Sequence, residues 1–294
     1  MSFRSYDMEF FFWLISLGVF LGGLCVGSFL NVVIWRLPRG MSLMHPPSRC
    51  PRCGHWIRAW ENIPLLSWLL LKGRCSGCHE PISSRYPLVE LGNALLWLGL
   101  WLVFYWKLAP CAVLPRLMLL STLLLALTLI DLDLRRLPDL LTVPGIAVAL
   151  LSRLLVPDPF PAGLLPWSLL QRTSSLAGVQ APWAIGLLDS ALGLLLALLF
   201  LALAYHLVRW SEAAGDAGKE ILGGGDLKLA GMVGAFLGMD AVMPVLAMAS
   251  LLACQWGISL MLLKRPCSSL PFAPFLGVAA WLWIMAGGVF WHGP

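Results

Sequence analysis

The stretch "LTLIDLDLRRLPDLLTVP", Leu127 to Pro144, decides how the chain is read. An almost unbroken apolar run extends back from it to Leu117 and stops at Asp131. Arg135 and Arg136 follow. Pro138 and Asp139 then read as the opening of another helix, with an acid at the positive end of the helix dipole. An apolar span that ends in a carboxylate and two arginines reads as a membrane helix reaching its inner face, because cytoplasmic loops collect Lys and Arg.

The composition agrees. The 294 residues are 59% hydrophobic and only 12% charged, where soluble domains carry about a quarter. Mean hydropathy is +0.83. These values predict an integral membrane protein with the lipid bilayer as its partner. The fifteen Trp suit ring placement at the membrane interfaces. The net charge of +5 sits in short loops, so it reports orientation and no nucleic-acid partner is expected. The N-terminus lacks a basic leading region and a small-residue cleavage site, and it reads as a retained first span.

The expected fold is all-α, with about eight membrane helices near 10–35, 88–106, 113–131, 139–156, 183–208, 227–240, 242–263 and 272–292. The sixth is short and its start is loosely marked. The 157–182 connection, rich in Pro, Gly and Ser, reads as a loop without an assigned role. With the N-terminus outside, fifteen of the twenty Lys and Arg fall in inner loops. Arg4, Lys107, Arg116, Arg153 and Arg172 are left outside. That bias supports an even number of spans. Gly18 and Gly22, Gly23 and Gly27, and Gly234 and Gly238 recur at helix-packing spacing. The expected organisation is a first transmembrane helix over 1–35, a cytosolic zinc-binding module over 36–87 and a seven-helix membrane core over 88–294.

The first inner loop carries "CPRC" at Cys50–Cys53 and "CSGC" at Cys75–Cys78, with 21 residues between the pairs. Two such knuckles predict a tetrahedral four-cysteine zinc site of structural type, since four thiolates leave no open position. Two disulfides are the alternative, which the reducing inner compartment disfavours. His45, His55 and His79 lie nearby as replacement ligands, but four cysteines suffice. No H-E-x-x-H motif supports a zinc protease. Cys25, Cys111, Cys254 and Cys267 share no spacing and read as apolar filler.

Carboxylates at the edge of hydrocarbon are costly and usually functional. The predicted topology puts Asp131 at the inner end of the third span. It puts Asp226, in "GGGDLKL", at the inner end of the sixth. Two carboxylates at one depth can share a proton, one taking a proton from water while the other polarises a peptide carbonyl. Two helix-end aspartates without chemistry remain the alternative, and the residues alone leave the readings level. Gly223, Gly224 and Gly225 would let a substrate backbone approach Asp226. Asp133 faces away from Asp131 on a helix. Glu90, Asp189, Asp216, Glu220 and Asp240 read as interface or loop charges.

These residues resemble the prepilin peptidases, or type IV leader peptidases, of the G-x-G-D aspartic membrane proteases. The resemblance is carried by "GSFLNVVIWRLP" (Gly27–Pro38), the two cysteine knuckles followed by "RYPLVE", "LIDLDLRRLPDLLT" and "GGGDLKL". It implies that Asp131 and Asp226 are the catalytic pair and that Cys50, Cys53, Cys75 and Cys78 hold the metal. It implies cleavage of a short basic leader from type IV prepilins or pseudopilins, after a Gly, at the cytosolic face of the bacterial inner membrane. It also implies N-methylation of the new terminus from S-adenosylmethionine, for which no residue is assigned. Glu61 or Glu90 would be anionic partners for the leader's basic residues. The rival readings are a proton-coupled transporter, which lacks an inverted repeat, and a non-enzymatic assembly factor with a zinc-stabilised docking loop.

Overall fold

The computed structural model describes residues 3–106, 111–156, 182–212, 223–264 and 270–286. Of the expected 157–182 loop, all but Pro182 lies outside the described residues. Among the described residues the regular secondary structure is helical, with two isolated β-bridges. Five of the helices are long and apolar enough to cross a membrane. Contacts divide the chain into two units, Met1–Leu108 and Ala109–Pro294.

The first unit is built on α1 (Phe3–Arg36) and α3 (Arg85–Trp106), both long enough to span. They run antiparallel. Asn31 Nδ2 donates to Tyr86 O at 3.1 Å, Asn93 Nδ2 to Gly23 O at 2.8 Å, and Trp101 Nε1 to Ser16 Oγ at 2.8 Å. A Cβ on Gly23 would come within 2.7 Å of the Ala94 Cα, and one on Gly27 within 2.7 Å of the Glu90 Cα. The backbones therefore touch along one seam, 31 to 86, 27 to 90, 23 to 94 and 16 to 101. Of the two glycine pairs expected on this span, Gly23 and Gly27 form the seam. Gly18 faces open space. Spacing alone cannot choose, because both pairs are i, i+4.

Between α1 and α3 lie a 3-10 turn at Leu37–Arg39, another at Ala59–Asn62, and the short α2 (Leu66–Leu70). The Arg39 guanidinium lies 3.7 Å from the centre of the Trp35 ring and also bonds the Trp35 carbonyl. The rest of this insert is organised by the two cysteine knuckles.

The second unit comprises α4 (Leu114–Leu134), α5 (Asp139–Leu155), α6 (Pro182–Glu212), α7 (Gly224–Leu237), α8 (Met239–Leu262) and α9 (Ala273–Ala286). Its centre is α7. Fourteen residues make a helix only about 21 Å long, short of a hydrocarbon core of about 30 Å. Yet Leu229 through Leu237 are all buried, because α4, α5, α6, α8 and α9 pack around it. Protein, not lipid, surrounds the helix from Leu229 onward, so its C-terminal end need not face hydrocarbon.

Small residues set the close approaches. Gly193 on α6 meets Gly234 on α7 backbone to backbone, and Gly145 on α5 lies against Met232. Gly238 stands at φ +89 as the joint between α7 and α8. It is a turn residue and also a packing one, as its i, i+4 spacing from Gly234 suggests, since a Cβ on Gly193 would come within 2.8 Å of its carbonyl carbon. Beside that joint Arg153 and Asp189 are paired at 3.2 Å and nearly sealed from solvent. Arg153 also donates to Phe236 O at 3.1 Å, and Asp189 accepts the Met239 N–H at 3.1 Å. By sequence alone these two read as loop or interface charges. A buried ion pair in an apolar bundle needs its remaining polar atoms satisfied as well, and backbone groups at the α7–α8 joint do part of this.

Candidate active site and metal centre

Asp131 sits in the last turn of α4 and is buried. The helix ends three residues later because Arg135 turns left-handed, φ +53, and returns its N–H to the Asp131 carbonyl at 2.9 Å. Asp131 Oδ2 accepts the N–H of Ala273, the first residue of α9, at 3.2 Å. A helix N-terminus thus points an otherwise unused donor at the carboxylate. Nothing in the sequence marks this partner, 142 positions away. Asp133 is exposed and does not share the Asp131 face.

Asp226 sits in the first turn of α7, with Gly223 as N-cap. Its Oδ2 accepts the Gly223 N–H at 3.2 Å, and its own N–H reaches Gly223 O at 3.0 Å. This is the reach-back half of a capping box, made by the Asp alone because the cap has no side chain. None of Gly223, Gly224 and Gly225 uses a left-handed φ. Their value is space. A Cβ on Gly225 would lie 2.9 Å from the Leu137 Cβ, whereas one on Gly224 would meet nothing within 4 Å.

Gly225 against Leu137 brings the start of α7 onto the link between α4 and α5. Lys228 Nζ then reaches Asp139 Oδ1 at 2.7 Å. With α7 so seated, Asp226 lies at the end of the bundle where α4 carries Asp131, six residues before Leu137. Two acids from helices 95 positions apart in sequence therefore share one neighbourhood at one end of the bundle. One is buried, and the other is half-buried at a glycine-lined opening. Such a pair can activate water and polarise a carbonyl.

The cysteine knuckles belong to the first unit and repeat one another at an offset of 25 positions. In the first, Cys50 N–H bonds His55 O at 2.9 Å, and Gly54 N–H bonds Cys50 O at 3.0 Å. In the second, Cys75 N–H bonds Glu80 O at 2.9 Å, and His79 N–H bonds Cys75 O at 2.9 Å. The left-handed residue is Gly54 in one and His79 in the other. The bridges Arg49–Trp56 and Arg74–Pro81 close them.

The four Sγ atoms lie within 4.8 Å of one another. Cys50 and Cys78 are 3.8 Å apart, Cys53 and Cys75 4.0 Å. A disulfide needs about 2 Å. Four thiolates at about 2.3 Å around one ion would be spaced by about 3.8 Å, so the donor set fits a tetrahedral metal. The N–H groups of Cys53 and then Arg52 hold the Cys50 thiol down at about 6. Although the Glu80 N–H favours its thiolate, Cys78 is pushed up to about 12 by partial desolvation and by the other three thiols. Four negative sulfurs this close call for a cation.

His55, His45 and His79 stand outside the cluster. His55 Nε2 lies 3.1 Å from Glu61 Oε2 and 3.1 Å from Ser76 Oγ. Ser, His and Glu together suggest a hydrolytic triad, but both contacts fall on the same ring nitrogen. A relay needs one partner on each. The trio instead ties the first knuckle to the second. Glu61 is held down at about 2 by the Arg58 N–H, then by Ser76 and His55. Glu90 is buried and accepts the Leu65 N–H at 2.7 Å. Both acids considered for a basic leader thus already accept hydrogen bonds within the first unit.

A model of the bacterial Peptidase A24 N-terminal domain matches residues 21–104, and one of the type IV leader peptidase family matches residues 118–258. The chain is 39% identical over 305 residues to the prepilin leader peptidase/N-methyltransferase of Aeromonas salmonicida (strain A449), covering 94% of this chain and 92% of that protein. It is 34% identical over 289 residues to the Pseudomonas putida protein of the same description, covering 90% and 88%. The type 4 prepilin-like proteins leader peptide-processing enzyme of Escherichia coli O78:H11 is 36% identical over 283 residues, covering 88% and 89%. No solved structure matches the chain.

Proposed function

As the chain belongs to the type IV leader peptidase family, we propose that it cleaves prepilins or pseudopilins with Asp131 and Asp226 as the catalytic pair. One ionised carboxylate takes a proton from water, and the water oxygen attacks the scissile carbonyl carbon. The other, protonated, donates a hydrogen bond to the carbonyl oxygen. Breakdown of the tetrahedral adduct breaks the C–N bond, returns a proton to the leaving amine, which becomes the new N-terminus of the pilin, and leaves the leader as a free carboxylate. The observation that carries this reading is the seating of Gly225 on Leu137, which brings Asp226 to the end of the bundle where α4 carries Asp131. The three relatives described above bear names of processing enzymes, which favours this reading over a transporter or an assembly factor.

Eight spans, α1 and α3 to α9, with the N-terminus outside, place the pair at the cytosolic face of the inner membrane. The Lys and Arg bias supports that arrangement. Cys50, Cys53, Cys75 and Cys78 hold a structural zinc in the cytosolic insert, where the ion supplies a fixed cross-link between knuckles. The names of two of these relatives carry N-methyltransferase as a second activity, and S-adenosylmethionine is the donor the family suggests. Among the described residues no strand-turn-helix with a G-x-G-x-x-G loop is present, so no step is derived through that donor.

The test is cleavage of a leader-bearing prepilin by the purified protein in detergent. Wild type cleaves, while Asp131→Asn and Asp226→Asn each fall by at least about a thousandfold. Near-normal cleavage by either variant overturns the pair. For the zinc, Cys75→Ser should lose bound metal, and equal metal content in both proteins overturns it.

A further inference from the structure

The cysteine insert carries an apolar face turned away from its own interior. Leu66, Leu69 and Leu70 stand at i, i+3 and i+4 on α2, one stripe, and are 49%, 57% and 71% exposed. The neighbouring 3-10 turn packs beside α2 and adds Trp60, 61% exposed. The other side of α2 is fixed. Trp68 donates to Ile82 O at 3.2 Å, and its ring lies so near Gly73 that a Cβ there would come within 2.9 Å. The leucines cannot turn inward without breaking that anchor.

Two features identify what covers this face. The first is its depth. Leu65, directly before α2, gives its N–H to Glu90 on α3. Glu90 is five residues from the start of a helix long and apolar enough to span, about 7.5 Å along its axis. The stripe therefore hangs beside the first two turns of a span, the level at which such a helix enters the bilayer. The second is its charge. Arg58 lies 5.1 Å over the Trp60 ring and Lys72 follows α2, both exposed. Leucines and a tryptophan edged by cations match an anionic lipid surface.

We propose that α2 and the Trp60 turn form an interfacial foot, seated in the headgroup layer of an anionic bilayer. The insert is then held at the membrane by a third contact besides α1 and α3. A polypeptide partner or a second copy of the chain would instead cover the stripe without lipid contact.

The experiment places a fluorescent amino acid at Leu70, and in a control protein at the exposed Arg52. Each full-length protein is reconstituted in vesicles of phosphatidylglycerol and phosphatidylethanolamine. Metal content equal to wild type certifies a folded insert, and a probe at Leu69 replaces one at Leu70 that fails this check. Lipids brominated on the upper acyl chain should quench the Leu70 probe severalfold more than the Arg52 probe, and iodide in the buffer should show the reverse. Replacing phosphatidylglycerol by phosphatidylcholine should weaken the bromolipid effect, and no change would overturn the anionic preference. A Leu70 probe open to iodide overturns the foot. So does protection from iodide without bromolipid quenching, or quenching that changes with protein concentration or arises only on adding prepilin.

Discussion

Lys228 and Asp139 form an ion pair of 2.7 Å between the starts of α7 and α5. Lys228 lies two residues past Asp226, and Asp139 eight past Asp131. The pair therefore joins the two chain segments that carry the acids. Its side chains are 41% and 62% exposed, so its worth to stability is at most about 1 kcal/mol. A role in holding Asp226 toward Asp131 would show in kcat. Lys228→Met and Asp139→Leu should each lower kcat roughly ten- to a hundredfold, with unfolding almost unmoved. The reversed pair, Lys228→Asp with Asp139→Lys, should recover most of it. Unaffected single variants, or a reversed pair no better than they are, would remove the clamp from the account.

Gly225 and Gly224 are adjacent and should behave oppositely. Gly225→Ala drives a methyl into Leu137 and should cost about 1–3 kcal/mol, partly restored by Leu137→Ala. Gly224→Ala has open space at a helical position. It should leave stability unchanged or raise it by up to about 1 kcal/mol. If substrate backbone lies along Gly224, KM rises all the same. Thermal unfolding and KM, measured on both variants, separate packing from substrate approach.

Glu61 sets an acid limit on the insert. Its folded-state value of about 2 is below the 4.5 of a free carboxylate. The ionised form is therefore favoured by folding, and its stabilisation is complete above about 4.5 and lost as pH falls toward about 2. Glu61→Gln removes that dependence. Hydrogen exchange of the insert should show a gap between wild type and Glu61→Gln that is constant above about 4.5 and narrows below it. A gap independent of pH contradicts the assignment.

The long apolar helices are legible because twenty or more apolar residues leave few alternatives. The knuckles are legible because their spacing is local. Asp131 and Asp226 can be set at one depth from charge bias alone. What escapes a reading of the sequence depends on distant backbone. The Ala273 N–H that Asp131 receives belongs to the last described helix and has no side-chain signature. Arg153 and Asp189 look like boundary charges until packing brings them together. The start of α7 is expected at 227 and lies at Gly224. A glycine run argues for a loop by propensity, and here tertiary contact with Leu137 favours the helix. Three glycines in a row suggest conformational freedom, but their φ angles are ordinary and only their missing side chains matter.

The central claim is that Asp131 and Asp226 act as one unit, and single-turnover cleavage by Asp131→Asn, Asp226→Asn and the double variant tests it most directly. Groups that act together are strongly non-additive. The double variant should cleave no more than a few fold more slowly than either single one. Losses that multiply, so that the double variant falls by the product of the two, would contradict it.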